Sequence, residues 1–146
     1  MTVTGWSCAV CGATVPISEP FSWRCPNSSA ADRQHVLQIE QAASRLVSSG
    51  DDNPFVAFRR YLAWDAFAAA VGLTDDAREA MVRGIDAEVA AVEGHGFVAT
   101  PFARTDALSD WLGFTAAGGV WVKDETHNVG GSHKARHLFT ILLHLR

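Results

Sequence analysis

Between Val120 and Leu145 the spacing of the apolar residues changes abruptly, and that change limits the folds open to the chain. Val120-Trp121-Val122 is a short β-prone run led in by Gly118-Gly119, the composition of a buried strand. A polar stretch containing Gly130-Gly131 follows, and then Leu138, Ile141, Leu142 and Leu145 recur at the spacing of one helix face. A strand, a loop and an amphipathic helix in that order predict an α/β fold, because such a helix needs a sheet to cover. Ser132, a favoured N-cap residue, predicts where the helix begins, and the two glycines let the backbone turn tightly before it.

Composition narrows the function. The chain has 146 residues, 48% hydrophobic and 19% charged, which suits one globular domain rather than a disordered segment. The formal charge of −4 and the lack of any basic block argue against nucleic acid or an anionic membrane surface as partner, since both need clustered Lys and Arg. The most apolar stretch, residues 61–73, is interrupted by Asp65 and is too short to span a bilayer. The opening MTVTGWSCAVCG lacks the basic start and apolar run of a secretory signal. Three cysteines, two of them in Cys8-x-x-Cys11, fit a reduced, cytoplasmic protein better than a disulfide-stapled one.

Along the chain, residues 1–30 hold all three cysteines and three of the five prolines, the composition of a loop or small ribbon. Residues 31–95 read as helical. Val36, Ile39, Ala43 and Val47 predict a helix over residues 32–47, and a break follows at residues 48–54. Phe55, Phe58, Leu62, Ala66 and Ala69 share the face of a second helix, with Arg59 and Arg60 off it and Gly72 at its end. Asp76 with Glu79 resembles a capping box, and Ala77, Met81, Ile85, Val89 and Val92 form the stripe of a third. These helices read as packing surface. Beyond them, Thr100-Pro101 sits in a turn and residues 105–112 predict a short helix.

The chemistry concentrates at Lys134. A helix starting at Ser132 places this lysine in its first turn, where the positive end of the macrodipole disfavours an ammonium and favours the neutral amine. A neutral amine is what Schiff-base formation with an aldehyde cofactor requires. The same helix end attracts a phosphate or carboxylate. The plain alternative is a solvated surface lysine, the commoner state of the residue.

Residues 121–137, WVKDETHNVGGSHKARH, resemble the cofactor-lysine motif of fold-type II pyridoxal-phosphate (PLP) enzymes, the group of tryptophan synthase β and threonine synthase. Lys123, Glu125, Gly131, Ser132, Lys134 and Arg136 match in order and spacing. His133 stands where threonine synthases usually carry Phe, and resembles the tryptophan synthase β pattern instead. The turn at Thr100-Pro101 is similar to one that precedes the motif in the family. Cys8-x-x-Cys11-Gly12 and Trp23-Arg24-Cys25-Pro26 resemble the zinc-ribbon-like head of many threonine synthases. Cys8, Cys11 and Cys25 would supply three thiolate ligands to zinc. The fourth is expected at position 28, where Ser28 stands, and His35 could complete the set after a longer gap; a zinc site and a metal-free relic both remain open.

The resemblance implies a three-layer α/β fold: a zinc-ribbon-like head over residues 1–30, helices over 31–95, and the incomplete start of a PLP-binding domain over 96–146. It implies that Lys134 holds PLP and acts as general base at Cα, with Ser132 and His133 beside the cofactor and its phosphate. The full-length parent would be a homodimeric lyase or synthase acting on a small amino acid by elimination or replacement, with threonine synthase, dehydratase and β-replacement chemistry all open. The phosphate loop of the family lies downstream of the lysine, so the chain reads as a truncated piece that is inactive alone. The competing readings are a non-catalytic zinc-binding interaction module and a truncated remnant.

Overall fold

The computed structural model describes residues 3–42, 45–114 and 118–146. Strands β1 (Val3–Cys8), β2 (Thr14–Pro16) and β3 (Leu37–Gln41) form an antiparallel sheet in the order β2-β1-β3. The turn from β1 to β2 closes on Cys8, whose N–H donates to the Ala13 carbonyl at 2.8 Å and whose carbonyl accepts from Gly12 at 2.9 Å. Gly12 has φ 71°, a conformation that glycine adopts without a Cβ penalty. Gly5 is required for a different reason: a Cβ there would collide with the Val15 carbonyl.

The helix expected over residues 32–47 is not formed. Residues 37–41 are β3, in register with β1 at Trp6↔Ile39 and Cys8↔Leu37, and Ala43 lies outside the described residues. Val36, Ile39 and Val47 are 59%, 45% and 64% exposed, so the helical stripe meets no apolar partner. An isolated amphipathic helix is marginal without one, whereas the open edge of β1 offers a ladder of backbone hydrogen bonds. The N–H of Ala9 extends that ladder to the Val36 carbonyl at 2.9 Å. The head therefore reaches to Gln41 and does not end at residue 30.

The second expected helix is broken into α1 (Pro54–Ala57), a 3-10 turn at Arg59–Tyr61 and α2 (Ala63–Ala70). Arg59, expected off the apolar face, is buried. Its guanidinium donates to Asp65 at 2.6 Å and pairs with Asp75 at 3.0 Å, and Arg78 binds the same two carboxylates at 2.9 and 2.8 Å. Turning Arg59 inward takes the backbone out of α geometry on either side, at Phe58 (φ −118°) and Leu62 (ψ 134°). The third helix, α3 (Asp75–Glu93), is capped by Thr74, whose hydroxyl accepts from Ala77 N at 3.2 Å, rather than by Asp76. It buries Val82 and Ile85, while Val92 is exposed. Gly94, in the left-handed conformation, ends it.

Strand β4 (Phe102–Arg104), helix α4 (Asp106–Trp111) and strand β5 (Trp121–Lys123) follow, with β4 and β5 paired antiparallel. The buried strand expected at residues 120–122 is instead an exposed ribbon that no layer covers among the described residues, and Trp121 leans on Phe102 with ring centroids 5.5 Å apart. Helix α5 (Lys134–Leu145) begins two residues after Ser132. It turns Phe139 and Leu143 inward and leaves Leu138 and Leu145 exposed, one step around the helix from the expected face. The cover is helical and aromatic, not a sheet. Phe139 meets Phe55 at 4.4 Å and Phe97 at 4.9 Å, and Trp64, Ala68, Val82 and Ile85 complete this core.

The result is a small mixed α/β fold. All strand pairs are antiparallel, so the three-layer arrangement implied by the family resemblance is not formed among the described residues. No helix among them is long and apolar enough to cross a membrane.

Candidate metal centre and the lysine loop

Three segments separated in sequence converge in the head. Cys8 ends β1, Cys11 sits in the β1–β2 turn, Cys25 lies in the loop beyond β2, and His35 precedes β3. Their ligand atoms all lie within 4.8 Å of one another. Cys8 Sγ is 3.4 Å from His35 Nδ1, and Cys11 Sγ is 3.6 Å from Cys25 Sγ. A tetrahedral zinc with the usual bond lengths sets its ligand atoms about 3.5–3.8 Å apart, so the cluster already has the size of a metal shell. Three sulfurs and one imidazole are a soft, nitrogen-bearing set that suits zinc better than calcium or magnesium.

Polar neighbours surround the ligand atoms. His35 Nε2 lies 3.1 Å from the Asp32 carboxylate, and once Nδ1 has lost its proton, Nε2–H donating there would leave the Nδ1 lone pair facing the thiols, the usual support of a metal-bound histidine. Asn27 donates its backbone N–H to Cys25 Sγ and its side-chain amide to Cys11 Sγ, both at 3.4 Å. Burial pushes the Cys8 thiol up, but the N–H groups of Cys11 and Val10 and the His35 ring outweigh it and bring it to about 6. The Cys8 sulfur and the Asp32 carboxylate hold His35 up, at about 9. Backbone hydrogen bonding at Ala13 lowers Cys11, and burial raises Cys25. Ser28, at the position expected for the fourth ligand, donates its hydroxyl to the Cys25 carbonyl at 2.7 Å. That bond shapes the turn, and His35 takes the fourth place.

The second site is the strand–loop–helix unit. Three of its sequence-matched residues meet at Thr100: Lys123 donates to the carbonyl and hydroxyl of Thr100, and Thr100 Oγ1 donates to Glu125 at 2.5 Å. Arg136 donates to the other Glu125 oxygen at 3.0 Å and to Thr100 Oγ1 at 3.2 Å. The Thr100 hydroxyl, against the opposing effect of burial and with help from Arg136, holds the Glu125 carboxyl below its ordinary range. This network ties the turn at Thr100-Pro101, the end of β5 and the third residue of α5 into one unit.

Lys134, at the far end of the loop, is exposed, and its amine has no hydrogen-bond partner among the described residues. Its backbone N–H donates to Ser132 Oγ at 3.2 Å, so Ser132 caps the helix start from two residues away. His133 is exposed beside it. The backbone N–H groups of Ser132 and His133 have no acceptor among the described residues. Gly130 and Gly131 have φ 62° and 57°, and Gly130 N donates to Glu93 at 2.9 Å, pinning the loop to the end of α3. Asn128 is buried; its amide donates to the Ser132 carbonyl at 2.7 Å while Oδ1 has no partner. Sequence reasoning singled out Lys134, Ser132 and His133 but not Asn128, Asn27 or Asp32. The spacing Asp32-x-x-His35 is the one signal in the sequence for the metal-side support.

No family model, curated protein or solved structure matches the chain.

Proposed function

We propose that the chain combines a structural zinc centre, held by Cys8, Cys11, Cys25 and His35, with the lysine-bearing unit of a PLP-dependent lyase or replacement synthase acting on a small amino acid. The activity belongs to a protein in which these residues are joined to a phosphate-binding loop, the part that the family resemblance puts beyond the lysine. The observation that carries the reading is the division of labour between the two lysines of the chain. Lys123 is fixed by Thr100 and lies 3.6 Å from Glu125. Lys134 is exposed at the start of α5, and its amine has no hydrogen-bond partner among the described residues.

PLP supplies an aldehyde for the amine and an electron sink for charge developing at the substrate Cα. Lys134 would hold the cofactor and would serve as the general base at the substrate Cα. Ser132 and His133 present N–H groups to an anionic group. Glu125, Arg136 and Thr100 touch neither partner; they hold the loop so that Lys134 returns to one position. The zinc centre takes no part in the chemistry and fixes the head.

The test uses the chain as it is. After incubation with PLP and borohydride reduction, peptide mapping should find the pyridoxyl group on Lys134, and Lys134→Arg should abolish it without moving it to Lys123. Labelling of Lys123, or equal labelling of both, overturns the assignment. The cysteine–histidine cluster favours one second reading, a zinc-binding interaction module without catalysis, and that reading requires no preference between the two lysines.

A further inference from the structure

The three thiols of the metal centre are not equivalent. Cys8 and Cys25 are 3% and 2% exposed, whereas Cys11 is exposed. Cys8 is fixed by strand pairing, at the Cys8↔Leu37 register position, and its sulfur faces His35. Cys11 sits at the tip of the β1–β2 turn next to Gly12, where even an added Cβ would meet nothing within 4 Å. Its sulfur lies 3.6 Å from that of Cys25. A disulfide needs about 2.05 Å, so an open turn has to shift by only about 1.5 Å to form one. An oxidant arriving from solvent therefore meets Cys11 first, with a second sulfur already beside it.

We propose that Cys11 is an oxidation site, at which hydrogen peroxide forms a sulfenic acid that Cys25 resolves into a Cys11–Cys25 disulfide, dismantling the metal centre. The proposal rests on the reading of this cluster as a metal centre. The Cys11 thiolate takes one oxygen from peroxide and releases hydroxide. The Cys25 thiolate then attacks the sulfenic sulfur, the S–S bond forms, and a second hydroxide leaves. Two thiolates have given two electrons to one peroxide. Cys8 and His35 remain, and two ligands do not hold a structural zinc that needs four. Reduction by a small thiol reverses the exchange and restores the site.

The experiment treats the zinc-loaded protein with hydrogen peroxide, following released zinc by a chromogenic chelator and disulfides by non-reducing peptide mapping. One zinc per chain should leave in step with the Cys11–Cys25 link, and dithiothreitol should restore binding. In Cys25→Ser, which lacks the resolving thiol, a sulfenic-acid trap such as dimedone should accumulate on Cys11. A disulfide that includes Cys8, or zinc release with Cys11 unmodified, overturns the proposal. Should the untreated protein hold no zinc, the reading of the metal centre fails, while the same mapping of the peroxide-treated chain still decides the order of oxidation.

Discussion

His35 sits between a sulfur and a carboxylate, and both raise its proton affinity, to about 9. A raised value means that protonated His35 stabilises the fold fully below the ordinary histidine range, and that this contribution is lost as pH rises through about 9. Cys8 is depressed to about 6, so its contribution is full above the ordinary thiol range and is lost as pH falls through about 6. Metal-free protein thus holds an imidazolium–thiolate pair between these two limits. Zinc takes neutral imidazole, so metal loading should erase the titration. Ring resonances of His35 followed by NMR should show a midpoint near 9 without metal and none with it; a midpoint in the ordinary histidine range would contradict the contact with Cys8. The three thiolates were legible in the sequence because Cys-x-x-Cys and a later Cys carry their own signature. The fourth ligand was legible only as an open choice, with Ser28 at the expected position and His35 after a longer gap, since the gap from Cys25 to His35 closes only when β3 returns beside β1, a pairing that no local spacing encodes.

At the scale of elements, local signals located structure better than they assigned faces. The strand at β5, the short helix α4 and the helices α3 and α5 all fall within about two residues of where period and caps place them, although Thr74 rather than Asp76 caps α3. The predicted helix over residues 32–47 failed because tertiary pairing overrode its period, and the face of α5 was misassigned because two sets of apolar residues share its spacing. Phe139 and Leu143 win by reaching the aromatic cluster at Phe55 and Phe97. The loop between β5 and α5 depends on Glu125. Its carboxyl titrates below the ordinary range, so its contribution is present above that range and is lost only as pH falls through the lowered value. Glu125→Gln removes the pairing with Arg136 and should speed amide exchange across residues 124–133 on the order of tenfold, with α3 unchanged. Unaltered exchange in the loop would show that the network does not hold it.

For the whole molecule, one aromatic core and one cysteine–histidine cluster that could hold a metal lie in different parts of the fold. Phe139→Ala should cost about 3–5 kcal/mol, a large share of the roughly 5–15 kcal/mol of a typical domain. Leu138→Ala, at a side chain 62% exposed, should shift the denaturation midpoint little; equal effects would move the core off this face of α5. The loop of the head also reaches the body, where Trp23 packs edge-on to His144 with ring centroids 6.2 Å apart, and burial lowers the His144 pKa. Ordering that loop through Cys25 therefore bears on the docking of the head against α5. The convergence of four side chains from three segments on one ion is the central claim, and X-ray absorption at the zinc edge tests it most directly. The account predicts one zinc per chain with three sulfurs at about 2.3 Å and one nitrogen at about 2.0–2.1 Å, the nitrogen lost in His35→Ala. A shell of four sulfurs, or a nitrogen that survives His35→Ala, would contradict it.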